Sequence, residues 1–195
     1  MLKELVIASH NKGKIAEFEK MLAPYGVKIY SADDLDLPDV EETGVTFAEN
    51  AILKAEVLAK ICNKPCLADD SGLCVNALGG RPGVYSARYA PNRDFDKAMS
   101  MLIDEIRETG LKDWSAYFAC VLALKEPDKE VEIFEGKVDG KIIEEKRGQN
   151  GFGFDPVFMP DGYDRTFAEM HADEKKKISH RGCAVEKFLQ KVLNG

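Results

Sequence analysis

The sequence predicts an α/β fold whose sheet includes some antiparallel pairing. Three observations point there. Short β-prone runs alternate with segments of helical periodicity, which favours a mixed α/β sheet. A long apolar run, Ser115 to Leu124, precedes an alternating one, Glu130 to Val138, with Pro127 and Asp128 between them, as in a hairpin. Finally, 195 residues with 45% hydrophobic and 31% charged side chains suit one domain, or one domain with two lobes. Such a chain can bury a core without disulfides.

Each element has its own justification. Leu2 to Ala8 reads as a short buried strand. The helix after it carries Ile15, Phe18, Met21 and Leu22 on one face and ends near Gly26. Val27 to Tyr30 reads as a strand, and Leu35 to Gly44 as an acidic loop. Thr46-Phe47-Ala48-Glu49 is a capping box, so a helix should run from there to about Ile61, with Asn50 and Lys54 on one face. Cys66 to Asp69 reads as a strand closed by Asp70-Ser71-Gly72. Gly79 to Gly83 is a turn cluster. Phe95, Ala98, Met99, Leu102, Ile103 and Ile106 give the clearest helical stripe, stopped by Gly110. Gly148 to Gly153 is a glycine-rich loop. Thr166-Phe167-Ala168-Glu169 is a second capping box that should open a short helix. A terminal helix spans Arg181 to Leu193, with Val185, Phe188, Leu189 and Val192 inward.

Charge and composition exclude several functions. A net charge of −7 argues against binding nucleic-acid polymer, but a cleft can still be locally positive. No apolar run approaches a membrane span, and the N-terminus lacks a signal-peptide pattern. The five cysteines are odd in number and lack C-x-x-C spacing, which points to thiols in a reducing cytoplasm. Cys62, Cys66 and Cys74 are close in sequence, yet no nearby His completes a zinc site.

Four segments carry polar chemistry. Ser9-His10-Asn11-Lys12-Gly13-Lys14 lies between a strand and a helix, where free N–H groups and the helix end favour phosphate. It is not a Walker loop, because Ala8 and Ile15 occupy the decisive positions. A plain capped turn explains the same residues. Glu41, Glu42, Asp69 and Asp70 form the acidic set. Adjacent acids repel unless a cation answers them, and magnesium commonly joins such carboxylates to phosphates. A carboxylate there could also take a proton from water. A solvated acidic turn is the alternative. Phe152-Gly153-Phe154-Asp155-Pro156 could stack a base under Phe154 and read its edge with Asp155, or could be a turn with core aromatics. Lys175-Lys176-Lys177-Ile178-Ser179-His180-Arg181-Gly182 offers an imidazole and a guanidinium at a helix start, or simply a solvated face.

Taken in order with Glu42-Thr43-Gly44-x-Thr46-Phe47, Leu67 to Leu73 and Leu78 to Tyr89, these segments resemble the inosine/xanthosine triphosphate pyrophosphatase family over essentially the whole chain. The resemblance implies an elongated mixed sheet flanked by helices. It implies two lobes, with the active site in the cleft between them, as one domain over residues 1–195, and a homodimer. It implies Mg²⁺-dependent cleavage of ITP, dITP and XTP to the monophosphate and pyrophosphate. By the same resemblance Ser9, His10, Asn11, Lys12, Gly13 and Lys14 hold phosphates with Lys54, and Glu42, or less expectedly Glu41, binds metal with Asp70. Asp70 is the expected proton acceptor, supported by Asp69 and Lys14. Ser71, Phe152, Gly153, Phe154, Asp155, Lys175, His180 and Arg181 serve the substrate's other end. His10 stands where many members have Gly, and Phe154 where many have Tyr or Trp. Two other readings are a Maf-like pyrophosphatase of modified pyrimidine nucleotides and a nucleotide sensor without turnover. The Ser-His-Arg-Gly segment weighs against the first and the paired acids against the second.

Overall fold

The computed structural model of the chain describes residues 2–192. Strand β1 (Glu4–Ile7) leads into helix α1 (Lys12–Leu22), whose first turn is capped by Asn11: its Oδ1 accepts from Lys14 N at 3.1 Å. A 3-10 turn containing Pro24 and then Gly26, at φ +66°, end that helix and start β2 (Lys28–Ser31). Helix α2 (Phe47–Cys62) opens on the expected capping box, with Thr46 and Glu49 bonded reciprocally. Strand β3 (Cys66–Val75), helix α3 (Phe95–Glu108), strands β4 (Ser115–Lys125), β5 (Glu132–Ile142) and β6 (Phe158–Pro160), and helices α4 (Ala172–Ile178) and α5 (His180–Val192) complete the order. The strands form one sheet in the order β2-β1-β3-β4-β5-β6. β1 is parallel to β2 and β3, and β5 is antiparallel to β6. The α/β class with mixed pairing therefore holds.

Two compact units divide this chain. The first comprises Met1–Asp70, Cys120–Gly136 and Gly182–Gly195; the second comprises Ser71–Ala119 and Lys137–Arg181. Strands β3, β4 and β5 each pass from one unit into the other by chain continuity.

In the first unit the period-2 alternation of strands builds two cores. Leu5 and Ile7 of β1, Leu67 of β3, and Cys120, Leu122 and Leu124 of β4 pack with Phe18, Met21 and Leu22 of α1 and with Ala184, Val185 and Phe188 of α5. Val6, Cys66, Ala68, Val121 and Ala123, one residue out of phase, pack with Ala8 and with Ala51, Ala55, Leu58 and Ala59 of α2. The alanines let α2 lie close on its strands. The second unit has one core. There α3 buries Ala98, Met99, Leu102, Ile103 and Ile106 against Leu73, Val75, Phe118, Phe158 and Phe167.

Some expected boundaries move. Asp70-Ser71-Gly72 does not close a strand, because β3 runs through it to Val75 and is buried along nearly its whole length. The strand lies between β1 and β4, pairs with β1 at Cys66 and Leu67, and bridges Cys74 to Pro82 beyond the turn-prone residues. The Thr166 capping box closes a single 3-10 turn, Phe167–Glu169, and the helix proper starts later, at Ala172. The terminal helix begins at His180, one residue early. The inward side chain expected of Val192 and the helix end at Leu193 lie outside what is described.

Phe188 is fully buried and meets Phe134 edge-on at 5.6 Å. Replacing it with Ala is expected to lower stability by about 3–5 kcal/mol, read from the denaturant midpoint. A loss below about 1 kcal/mol would show that α5 contributes little to the first unit.

Candidate active site

The polar residues of the first unit converge where β3 meets α1 and α2. Asp69 and Asp70 are adjacent on β3, so their side chains leave opposite faces of the strand. Asp69 pairs through Oδ1 with Lys14 Nζ of α1, and its Oδ2 accepts from the Cys120 thiol at 3.0 Å. Asp70 faces α2. Its Oδ2 accepts from Asn50 Nδ2 at 3.1 Å, and its Oδ1 lies 3.7 Å from Lys54 Nζ. Lys54 also donates to Glu42 Oε1 at 2.7 Å and to the Asp69 carbonyl at 2.8 Å. One ammonium thus gathers both carboxylates and the backbone between them.

The local sequence explains this placement. The capping box fixes the first turn of α2, so Asn50 and Lys54 fall one turn apart on its buried face. Asn50 Oδ1 accepts from Gly44 N at 2.7 Å, which draws the acidic loop to the helix. A Cβ on Gly44 would sit 2.6 Å from Glu49 Cβ and 2.7 Å from Asn50 Oδ1, so only glycine fits this approach.

Burial dominates the electrostatics. It pushes the Asp70 carboxyl up to about 6; Lys54 opposes it, Glu42 reinforces it, and Lys14 and Asn50 oppose it. For Lys54, burial would lower the ammonium, but Asp70 and Glu42 outweigh burial and raise it. Three carboxylates here face two lysines, so the group still favours positive charge. Among the described residues no cluster of three or more His, Cys, Asp or Glu side chains forms a metal cage. Glu42 and Asp70 nevertheless share one cationic partner, and a buried carboxyl raised by desolvation is the donor a divalent ion would relieve. Two carboxylates plus substrate phosphates are what Mg²⁺ commonly uses, so the residues fit that ion. Glu41 is exposed and Glu42 is in the cluster, which separates the two glutamates.

Within the Ser9–Lys14 turn, Ser9 N donates to the Ile7 carbonyl at 2.8 Å and Asn11 N to Ser9 Oγ at 3.1 Å, while Lys12 is exposed at the start of α1. His10 turns its ring to Asp33, with Nδ1 2.5 Å from Oδ1, so the side chain is engaged within the protein.

The second unit gathers the other predicted residues. Asp155 Oδ2 accepts from Lys175 Nζ at 2.7 Å and from Phe152 N at 2.9 Å, and all but the edge of this pair is buried. Lys175 Nζ lies 5.1 Å from the centre of the Phe152 ring, and the Arg181 guanidinium 5.9 Å from it. Arg181 donates to Ser71 Oγ at 2.9 Å. His180 stacks on Phe118 at 4.7 Å. Gly153 takes φ +67°, which a glycine allows at no steric cost.

Two expectations change. Phe154 is not a stacking face: it is 2% exposed, in the core, edge-on to Phe95 and Tyr89. Phe152 is the half-buried ring beside the cations. The reading of Asp69-Asp70 as a solvated turn also fails, since both are buried within β3. Sequence reasoning does not reach Cys120, because a thiol inside a long apolar strand carries no distinguishing signal. Its only hint is a place in phase with Leu122 and Leu124, the face that Asp69 shares.

The fold defines an α/β protein in which each unit carries its own cluster of buried, ion-paired side chains. The Ham1 family model matches residues 5–191. A dITP/XTP pyrophosphatase of Bacillus subtilis (strain 168) is 47% identical over 99% of this chain and 98% of its own. One from Bacillus licheniformis is 49% identical over 96% of each. A HAM1 protein from Coxiella burnetii has a TM-score of 0.91 at 42% identity over the full length of both chains. The Staphylococcus aureus Ham1 protein has a TM-score of 0.86 at 43% identity, over 96% of this chain and 97% of its own. This chain belongs to the Ham1 family.

The raised Asp70 has a stability consequence. Folding keeps its proton up to about pH 6, whereas the unfolded chain releases it near 3.8. Ionising it therefore costs stability as pH rises between those values. Without divalent cation at pH 7.5, Asp70→Asn is expected to be more stable than the parent by about 1–3 kcal/mol. The gain should shrink through pH 6 and vanish below pH 4 in denaturant titrations. A variant less stable at pH 7.5 would contradict the assignment.

Proposed function

We propose that this protein hydrolyses non-canonical purine nucleoside triphosphates, namely ITP, dITP and XTP, to the monophosphate and pyrophosphate. The observation that carries this reading is the β3 acid pair, answered by lysines from two different helices. Relatives sharing nearly half of its residues are named dITP/XTP pyrophosphatase.

In this reading the turn of Ser9, His10, Asn11, Lys12 and Gly13 binds the phosphates, with the backbone N–H groups of His10, Lys12 and Gly13 as donors, since those of Ser9 and Asn11 are bonded within the chain. Lys14 and Lys54 neutralise phosphate charge. Glu42 and Asp70 hold Mg²⁺, with Glu41 outside the site. The ion when bound supplies Lewis acidity and neutralises the leaving pyrophosphate. Asp70, kept ionised beside the ion and Lys54, accepts a proton from the attacking water. Water oxygen bonds to phosphorus, and the α–β anhydride breaks to give the two products. Asp69 keeps Lys14 in place.

The base lies over Phe152, with Gly153 allowing the close approach and Asp155 fixing Lys175. His180, Arg181 and Ser71 line the same end, with Phe154 supporting the loop from the core. Lys175 and Arg181 are donors only. A 6-oxo purine offers them an acceptor, whereas a 6-amino group offers another donor and leaves both sides unpaired. We assign the 195 residues to one two-lobed domain acting as a cytoplasmic homodimer. Its five cysteines are all outside disulfides, and no described helix is long and apolar enough to cross a membrane.

A nucleotide panel with Mg²⁺ tests this directly. ITP and XTP should release pyrophosphate, at rates well above ATP, and chelation should stop turnover. Orthophosphate from ITP, or faster ATP cleavage, would refute the reading. Asp70→Asn should lower kcat by about 10²–10⁴-fold; undiminished turnover removes Asp70 as the base. Lys54→Ala should raise KM for the triphosphate by roughly 10-fold or more, and an unchanged KM takes Lys54 out of the site.

A further inference from the structure

His10 belongs to the phosphate-binding turn, yet its side chain reaches to another part of the first unit. Nδ1 lies 2.5 Å from Oδ1 of Asp33. Asp33 opens a 3-10 turn, Asp33–Leu35, and the segment 36–44 that follows carries Glu41 and Glu42. That segment is held at its start by Leu37 N donating to the Ala32 carbonyl at 2.9 Å. At its far end it is held by Gly44 N on Asn50 and by Glu42 on Lys54. The other ring nitrogen of His10, Nε2, is buried and makes no direct hydrogen bond. The carbonyl of Pro38 faces the ring.

The contact with Asp33 decides the state of the ring. A neutral imidazole donates to the carboxylate without charge, whereas an imidazolium donates to it as a charge-assisted pair. The charged groups facing the ring are acidic: Asp33 from the 3-10 turn and Asp39 from the segment after it. The hydrogen bond to Asp33 is the chief cause that raises His10 above 6.5; burial opposes it, and the Pro38 carbonyl and Asp39 add to it.

We infer that the imidazolium of His10 is a latch that fastens the 36–44 segment, and with it Glu42, to the phosphate-binding turn. His10 is a positioning residue: it acts through Asp33 and sets where Glu42 meets Lys54. The latch is closed at mildly acid and neutral pH and opens as His10 loses its proton. Its consequence for catalysis rests on the reading of Glu42 as a metal-holding group. The latch itself is testable without metal or nucleotide, so its failure and the failure of that reading are distinguishable.

The test uses the full chain free of divalent cation. With three histidines in the sequence, the His10 ring can be followed by NMR. Its midpoint should lie above 6.5 in the parent and fall to 6.5 or below in Asp33→Asn. Hydrogen exchange gives the second readout. The amides of Leu37 and Gly44, bonded to the Ala32 carbonyl and to Asn50 Oδ1, should be protected roughly 10-fold more at pH 6.5 than at pH 9, after correction for intrinsic rates. His10→Gln should lose that difference while amides of β3 and β4 stay as protected as in the parent. A His10 midpoint at or below 6.5, equal protection of the Leu37 and Gly44 amides in parent and variant, or a uniform loss across β3 and β4 would each overturn the latch.

Discussion

Two adjacent acids on one strand cannot point the same way, and the site follows from that constraint. The alternation that sends Leu67 to the α1 side and Cys66 and Ala68 to the α2 side continues into Asp69 and Asp70. Asp69 therefore meets Lys14 and Cys120, and Asp70 meets Asn50 and Lys54. A one-residue slip of β3 would exchange every partner and turn the strand's apolar set as well. The apolar packing of the first unit and the placement of its acids are thus one register choice. Pairing with β1 at Val6↔Cys66 and Ile7↔Leu67 fixes it.

That arrangement concentrates unfavourable charge in a buried place. Asp70 is held against its own desolvation by a lysine that is itself mostly buried. Surrounding structure has to hold it there, and it does: closely packed alanines of α2, a capping box, and an asparagine bonded to Gly44 leave the group no alternative geometry. Local instability at a site supported by well-packed neighbours is a common feature of functional centres.

Much of this was legible beforehand, for definite reasons. Thr46 and Glu49 announce α2 because capping chemistry is local, and the α3 stripe announces itself because its apolar positions repeat at helical spacing. The acids, lysines and phosphate turn were visible as residue types, and the family motifs ordered them. Tertiary facts were less visible. Nothing local distinguishes Phe152 from Phe154, two aromatics flanking one glycine. Only the contact of Phe154 with Phe95 and Tyr89 assigns it to the core. The extension of β3 through Asp70-Ser71-Gly72 was likewise hidden, because those residue types favour turns and only the strand's place in the sheet overrides them. Cys120 and the His10–Asp33 contact depend on residues far apart in sequence, 51 and 23 positions respectively.

The Gly151–Asp155 corner places different structural demands on neighbouring residues. A side chain at Gly151 would bring its Cβ within 2.0 Å of Asp155 Oδ2, the oxygen that holds both Lys175 and the Phe152 amide. A side chain at Gly151 or a change at Asp155 would thus disturb both bonds at once, so the two positions answer to one geometry. The Phe152 ring lies beside two cations, and other flat side chains could keep those contacts. The loop therefore ties down its backbone while leaving the identity of the ring at position 152 to its cationic neighbours.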